Sequence, residues 1–167
     1  MTMAASPWTQ RPSALLGVMA LLCVAALAAA LVSQHVFGME PCPWCVLQRL
    51  IFVAIALACG LGLVWRAVAA RVLAGTLALL LALSGVAAAL WLHFVAAKSQ
   101  SCNLTLADRI IVALRLDTLL AEVFSPRASC ADAAVDLLGV PYTFWSLALF
   151  VVIAVAAVQV LRCRSKA

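Results

Sequence analysis

Hydrophobic residues are concentrated in four long runs of this 167-residue sequence, at about 13–33, 46–65, 72–94 and 143–161. An α-helix needs about 20 mainly apolar residues to cross the hydrocarbon core of a bilayer, and each run approaches or exceeds that length. The connections between the runs are short, except for the one that spans about 95–142. The pattern therefore predicts an all-α protein, a transmembrane four-helix bundle.

The four predicted spans occupy most of the chain and leave little material for a soluble domain. Hydrophobic residues make up 68% of the sequence and charged residues only 10%, a balance that a water-soluble globule of this size cannot accommodate. Residues 1–167 are thus interpreted as one integral membrane domain in the lipid bilayer, with outer loops at about 34–45 and 95–142.

The long outer loop contains a segment with helical periodicity, residues 106–124. Its apolar residues recur three or four positions apart, with the charges largely between them: Leu106, Ile110, Ile111, Leu114, Leu120 and Val123. The segment predicts a short amphipathic helix, which either lies on the membrane or packs on the bundle. Either arrangement would hold the flanking Cys102 and Cys130 near the bilayer surface.

The charges indicate how the spans are oriented. Basic residues without acidic neighbours occur before the first span, between the second and third, and after the fourth: Arg11, Arg66, Arg71, Arg162, Arg164 and Lys166. All six acidic residues fall in the predicted outer loops. Positive residues favour the cytoplasmic side, so both termini are expected inside and the cysteine-bearing loops outside, and topology explains the net charge of +5 without a nucleic-acid partner.

The first span also resembles a signal peptide, because Arg11 precedes an apolar run that contains small residues. The run is longer than the usual apolar region of a signal peptide. Cleavage would leave three spans and separate the basic segment at Arg66 and Arg71 from the C-terminal basic cluster. Retention as a true span is the simpler interpretation.

Seven cysteines divide by their predicted position relative to the membrane. Cys23 and Cys59 lie within spans, where a cysteine usually serves as a small packing residue. Cys163 lies on the cytoplasmic tail, where no second cysteine is available to it. The remaining four lie on the outer, oxidising side, where disulfides persist: Cys42, Cys45, Cys102 and Cys130.

Four cysteines allow three pairings, and the sequence leaves the pairing open. Spacing favours Cys42 with Cys45 in a C-x-x-C motif, and Cys102 with Cys130 across the long loop. A bond across two intervening residues closes almost no loop and contributes little stability, whereas the second pair would stabilise its loop by roughly 3–4 kcal/mol. The first pair is therefore predicted to be redox-active, and the second is equally compatible with a structural role.

Other chemistry of the C-x-x-C motif is disfavoured by its surroundings. A c-type haem would require histidine directly after Cys45, where the sequence has Val46. The ligand spacing expected of a zinc site is missing, so no metal is predicted. A thioredoxin domain would require strands that alternate with helices, whereas the motif is flanked by apolar spans.

Gln48 and Arg49 follow Cys45 within the second span, which is predicted to begin at or near Cys45. The N–H groups of a helix N-terminus favour a thiolate, and Arg49 lies one turn deeper on the face of Cys45. A buried arginine is costly, so Arg49 either reaches outward to lipid phosphate or has a function. With Gln48 it would donate hydrogen bonds to a quinone, a membrane-soluble acceptor for the electrons of a dithiol. His93, near the outer end of the third span, and His35 are weaker candidates for the same site.

The combination of motifs is similar to that of the bacterial DsbB family of disulfide bond formation proteins. The resemblance covers nearly the whole chain and rests on Gln34-His35-Val36, the run Pro41-Cys42-Pro43-Trp44-Cys45-Val46-Leu47-Gln48-Arg49, Cys102, Cys130 and Leu138-Gly139-Val140-Pro141. Pro43 and Trp44 vary across the family, and His93 matches a family histidine only loosely.

The resemblance implies a quinone-dependent oxidase of the bacterial inner membrane that reoxidises the periplasmic thiol oxidase DsbA. Electrons would pass from DsbA to the loop cysteines, then to the C-x-x-C pair, then to the membrane quinone pool, as ubiquinone or menaquinone. By position, Cys102 would form the mixed disulfide with DsbA, Cys130 would exchange with Cys42, and Cys45 would face the quinone beside Arg49.

Two other protein classes share some of these features. In the vitamin K epoxide reductase family the loop cysteines precede the C-x-x-C motif, whereas here Cys42 and Cys45 come first. A tetraspanin-like scaffold, with purely structural disulfides, would not explain Arg49 or the short loop of the C-x-x-C motif.

Overall fold

Four long helices dominate the computed structural model, which describes residues 12–65, 67–98, 106–115, 118, 121–131, 136–137 and 139–164. These helices are α1 (Pro12–Phe37), α2 (Pro43–Val64), α3 (Val68–Phe94) and α6 (Tyr142–Arg164). Each is long and apolar enough to cross a membrane. The predicted four-helix bundle is confirmed, and the chain is a multi-pass membrane protein.

The helix ends follow from local sequence. After α1 the chain turns at Gly38, whose φ of 65° is one that residues with a side chain rarely adopt. The second helix begins at Pro43 with Cys42 as its N-cap, earlier than the start predicted near Cys45. Proline favours the first turn of a helix because its missing N–H would have no partner there. The earlier start moves Cys45 from the helix end into the first turn.

The helices pack in a ring in which α2 contacts α1 and α3, and α3 contacts α6. The seam between α6 and α1 closes the ring with far fewer contacts. Small residues permit the close approaches, as at Gly85, where an added Cβ would lie 2.5 Å from the ring of Phe150. Phe150 in turn stacks on Phe52 of α2, with ring centroids 4.2 Å apart. The bundle is therefore tight on three sides and loose along the seam between α1 and α6.

Within its described residues, the long outer segment contains the short helices α4 (Leu106–Ala113) and α5 (Ala121–Phe124) and a turn of 3-10 helix at Ala96–Lys98. The predicted short amphipathic helix is present as α4, but it ends at Ala113 and does not continue to 124. After α4 the chain turns at Arg115, which has the left-handed φ of 52° that commonly ends a helix. Two antiparallel strands, β1 (Asp136–Leu137) and β2 (Val140–Pro141), precede α6.

Both short helices pack on the outer half of α2. Ile111 of α4 and Phe124 of α5 are buried against Val46. Of the two arrangements that the sequence left open for this segment, packing on the bundle is the one observed. The contact holds the outer segment over the N-terminus of α2, where the C-x-x-C motif lies.

Candidate functional site

The C-x-x-C motif forms the N-terminus of α2. The sulfur atoms of Cys42 and Cys45 are 2.7 Å apart, and the backbone N–H of Cys45 donates to Cys42 Sγ at 3.3 Å. The sequence predicts that the helix N-terminus acts on Cys45. In the structure an amide at this helix end also donates to Cys42 Sγ, because Cys42 is the N-cap.

Cys130 joins these two cysteines. Its segment is held by backbone hydrogen bonds from the N–H groups of Arg127 and Ala128 to the carbonyl oxygen of Pro41, at 3.0 and 3.4 Å. Cys130 shares a hydrogen bond with Cys42 and accepts another from the backbone N–H of Trp44. These three residues form a three-cysteine cluster, with Cys42 in contact with both of the others. Cys102, the fourth predicted site cysteine, lies outside the described residues.

The cluster shifts the pKa values of Cys42 and Cys130 in opposite directions. The pKa of the Cys42 thiol is raised because it hydrogen-bonds to Cys130 and Cys45 and is fully buried. The pKa of Cys130 is lowered, chiefly because Cys42 donates a hydrogen bond to it and secondly because the Trp44 N–H does. Of the two, Cys130 therefore forms a thiolate more readily than Cys42, and the thiolate is the form that attacks disulfides.

Alkylation of Cys130 checks this assignment. In a reduced variant with Cys45 and Cys102 replaced by serine, we expect Cys130 to react with iodoacetamide with a pH midpoint below that of an ordinary cysteine. Below its lowered pKa the rate falls as the thiolate is protonated, and above it the rate is constant. Replacing Cys42 by alanine as well removes the main hydrogen-bond donor, so the midpoint should rise. Mass spectrometry of the Cys130 peptide measures the rate, and an equal midpoint in both variants would contradict the assignment.

Arg49 lies on α2, one turn below Cys45, and is only 7% exposed. Its Nη1 donates to Gln34 Oε1 at 2.6 Å and to the carbonyl oxygen of Val123 at 3.1 Å, and its Nη2 donates to the carbonyl oxygen of Ala30 at 3.2 Å. The side chain therefore points into the protein and does not extend to the lipid headgroups.

Gln34 was not predicted as a site residue. It lies near the end of α1, is buried, and donates from Nε2 to the carbonyl oxygen of Glu122 at 3.2 Å while accepting from Arg49. Its sequence signal was a polar residue near the outer end of an apolar span, which is common at a membrane interface. Only the rotation of α1 shows that this residue faces inward.

Two cavities lie beside Cys45, of about 460 and 500 Å³. Both are lined by Cys45, Arg49, Ser33, Ala30 and Tyr142. The smaller one, which we call the outer cavity, adds residues of the first outer loop, including Glu40. Cys45 is the member of the three-cysteine cluster that lines these cavities.

The larger one, which we call the seam cavity, lies between α1 and α6. Its walls are mainly apolar, and it reaches the exposed Trp145 and Val152, so it opens on the lipid-facing surface. The amide of Gln48 also lines it, and Gln48 Nε2 is buried without a hydrogen-bond partner. A buried donor that lacks a partner is costly, which makes Gln48 a candidate to bind an acceptor in this cavity.

The two histidines are placed differently. His93 packs against Phe144 and Phe94, with ring centroids 4.7 and 5.0 Å away, and does not line either cavity. His35 is exposed at the end of α1. The structure therefore brings Arg49 and Gln48 together with Cys45, and it does not bring His93 to them.

Comparisons with known proteins agree with the motif pattern. The family model for disulfide bond formation protein DsbB matches residues 12–160. The chain is 32% identical over 151 residues to disulfide bond formation protein B 1 of Pseudomonas savastanoi, covering 89% of this chain and 88% of the relative. It is 33% identical over 159 residues to disulfide bond formation protein B of Burkholderia pseudomallei, covering 94% of each. A Pseudomonas aeruginosa protein described as disulfide bond formation protein B 1 is 35% identical over 135 residues, covering 78% of this chain and 83% of the relative.

Proposed function

Because the chain belongs to the DsbB family of disulfide bond formation proteins, we propose that it is a thiol oxidase that transfers electrons from a DsbA-like protein to a membrane quinone. Family membership makes it a disulfide-forming oxidoreductase. The dithiol donor, the quinone and the direction of transfer are the proposal.

One observation carries the proposal: the three-cysteine cluster runs from the outer loop to a membrane-facing cavity. Cys130 lies in the outer segment, Cys42 contacts both Cys130 and Cys45, and Cys45 lines the seam cavity beside Arg49. Electrons that enter at the loop can therefore reach the cavity by exchange between sulfur atoms that are already in contact.

The Trp44 N–H donates to Cys130 whether or not Cys42 carries a proton, and so favours the attacking thiolate in the exchange step. With Cys42 and Cys45 joined as a disulfide, the Cys130 thiolate attacks Cys42 Sγ. The Cys42–Cys130 bond forms, the Cys42–Cys45 bond breaks, and Cys45 leaves as a thiolate. No electrons enter or leave the protein in this step, and the new thiolate is located at the cavity. Cys102, by its position in the family pattern, would form the preceding mixed disulfide with the partner.

The seam cavity suits a quinone headgroup. A quinone supplies a two-electron acceptor with two carbonyl oxygens that accept hydrogen bonds. The buried Nε2 of Gln48 and the guanidinium of Arg49 are donors at the cavity wall, and the other walls are largely apolar. These side chains would hold the carbonyl oxygens near Cys45, while the opening along the α1–α6 seam would admit the ligand from the bilayer.

We further propose that the protein lies in the bacterial inner membrane with both termini in the cytoplasm and the cysteine-bearing loops in the periplasm. The support is the distribution of charge, since all six acidic residues lie in the loops assigned to the outer side. Basic residues flank the opposite ends of the spans. This orientation places the three-cysteine cluster on the side of the oxidising compartment, where a periplasmic partner would be found.

The direct test mixes the purified protein in detergent with reduced DsbA and a short-tailed ubiquinone, and follows the quinone absorbance. We expect quinone reduction that depends on both the protein and the reduced DsbA, with one quinone consumed for each DsbA disulfide formed. A short-tailed menaquinone in a parallel assay determines which quinone class is preferred. If the protein reduces neither quinone, the proposed function is wrong.

A further inference from the structure

The segment that carries Cys130 is fastened to the membrane helices through two buried side chains. Arg49 Nη1 donates to the carbonyl oxygen of Val123 at 3.1 Å, and Gln34 Nε2 donates to that of Glu122 at 3.2 Å. Both carbonyl groups belong to α5. Among the described residues, these are the side-chain hydrogen bonds that join the bundle to α5. Gln34 and Arg49 are themselves linked at 2.6 Å, so the three groups form one network.

Further contacts connect α5 to the segment that carries Cys130. The Glu122 carboxylate lies 3.5 Å from the guanidinium of Arg127, and the backbone N–H of Arg127 donates to the Pro41 carbonyl next to Cys42. The ion pair is exposed and contributes little by itself. The buried bonds of Gln34 and Arg49 are the stronger attachment, because hydrogen bonds that involve a charged group or are shielded from water are costly to break.

Gln34 has a specific place in this network, since its amide has one acceptor and one donor end. The oxygen accepts from Arg49 and the nitrogen donates to α5. The same Arg49 side chain lines both cavities beside Cys45. A single glutamine thus contacts the loop that carries Cys130 and the arginine that lines the proposed quinone site.

We infer that Gln34 is a positioning residue that holds α5 so that Cys130 stays at Cys42, and that orients Arg49 toward the seam cavity. The part that concerns α5 stands on the hydrogen bonds alone. The part that concerns Arg49 and quinone rests on the proposed function. Gln34 does not contact the sulfur atoms or line either cavity, so it acts through α5 and Arg49.

The test measures how strongly Cys42 and Cys130 are held together. In a variant with Cys45 and Cys102 replaced by serine, the Cys42–Cys130 disulfide is equilibrated with reduced and oxidised glutathione. The oxidised fraction gives the effective concentration of one thiol at the other. We expect Gln34→Leu to lower this effective concentration about tenfold, the equivalent of one buried hydrogen bond. The backbone bonds to Pro41 remain, so a residual preference for the disulfide is expected.

Gln34→Glu distinguishes the hydrogen bond that Gln34 accepts from the one that it donates. The carboxylate still accepts from Arg49 but cannot donate to the Glu122 carbonyl oxygen. We expect this variant to lose effective concentration as Gln34→Leu does. In the chain with all its cysteines, it should keep the quinone KM within about twofold of the unmodified protein, because the charge-assisted bond to Arg49 persists. Gln34→Leu in that chain should raise KM severalfold with a smaller change in kcat.

Gln159→Leu is the matched control, because Gln159 is an exposed glutamine on α6. It should change neither quantity. Circular dichroism and gel filtration establish folding, and if Gln34→Leu does not fold, Gln34→Glu decides the α5 part alone. An effective concentration that is unchanged in Gln34→Glu overturns the proposal, and a quinone KM that is equal in all variants overturns its Arg49 part. If the unmodified protein reduces no quinone, the proposed function fails, while the glutathione measurement still decides whether Gln34 positions Cys130.

Discussion

Replacing Cys45 by serine is expected to lower quinone reduction by at least about a thousandfold, the scale of losing an essential nucleophile. Cys45 is the member of the three-cysteine cluster that lines the cavities, and serine cannot carry a thiolate or form a disulfide. The measurement is the initial rate of quinone reduction with reduced DsbA. Cys59→Ala, a buried cysteine deeper in the same helix, is the control and should retain activity.

The same substitution has a second expected result. Without Cys45, the bond formed between Cys42 and Cys130 cannot be resolved back to a Cys42–Cys45 disulfide. The Cys42–Cys130 species should therefore accumulate after a single exposure to oxidised glutathione, and mass spectrometry of unreduced peptides detects it. Turnover of Cys45→Ser at the unmodified rate would show that another group delivers electrons to the quinone.

Replacing Arg49 by methionine is expected to raise the KM for quinone about 10- to 100-fold, the range for losing a hydrogen bond from a charged donor. Methionine preserves much of the volume of the side chain but leaves Gln34 Oε1 and the carbonyl oxygens of Ala30 and Val123 without their donor. We therefore also expect the thermal unfolding temperature to fall. Steady-state kinetics at saturating reduced DsbA measure the first effect, and a thermal melt in detergent measures the second.

Arg49→Lys distinguishes the effect of the positive charge of Arg49 from that of the hydrogen-bonding geometry of its guanidinium. Lysine keeps the positive charge beside Cys45, but its single ammonium group cannot reach all the acceptors that the planar guanidinium contacts. Its KM should lie between those of the unmodified protein and Arg49→Met. If Arg49→Met leaves the quinone KM unchanged while the cysteine pairs remain oxidisable, Arg49 does not bind the quinone and serves only to hold α5.

The sequence predicted the four spans well because their signal is local and strong. A run of about 20 apolar residues has one stable arrangement in a bilayer, with every backbone hydrogen bond formed within the helix. The residue at which the second span starts was less predictable. Its start at Pro43 depends on Cys42 acting as N-cap, which puts Cys42 at the helix N-terminus and Cys45 in the first turn.

The amphipathic segment at 106–124 shows what hydrophobic periodicity does not predict. Its periodicity predicted one helix over 106–124, but the described chain ends α4 at Ala113, turns at Arg115 and has α5 at Ala121–Phe124. Both α4 and α5 pack on α2. Periodicity reports which residues share a face. It does not report where a chain must turn to place Ile111 and Phe124 against the same side chain, Val46.

Candidate chemistry could also be identified from the sequence, because spacing alone makes Cys42 and Cys45 neighbours and places Arg49 on their helix face. What they contact was decided by tertiary structure. The approach of Cys130 to Cys42, the inward direction of Gln34 and the absence of His93 from the cavities all depend on how the helices rotate and how the long loop returns to the bundle.

The range of the interactions explains why some features were predictable from the sequence and others were not. Hydrophobic run length, proline at a helix start and i, i+4 neighbours act within a few residues, so the sequence alone determined the spans, the C-x-x-C motif and the place of Arg49 near it. The bonds from Gln34 to Glu122 and from Arg49 to Val123 join residues 88 and 74 positions apart. Which of the many distant polar groups form hydrogen bonds depends on how the bundle packs. The same packing brings Cys130 to the C-x-x-C motif.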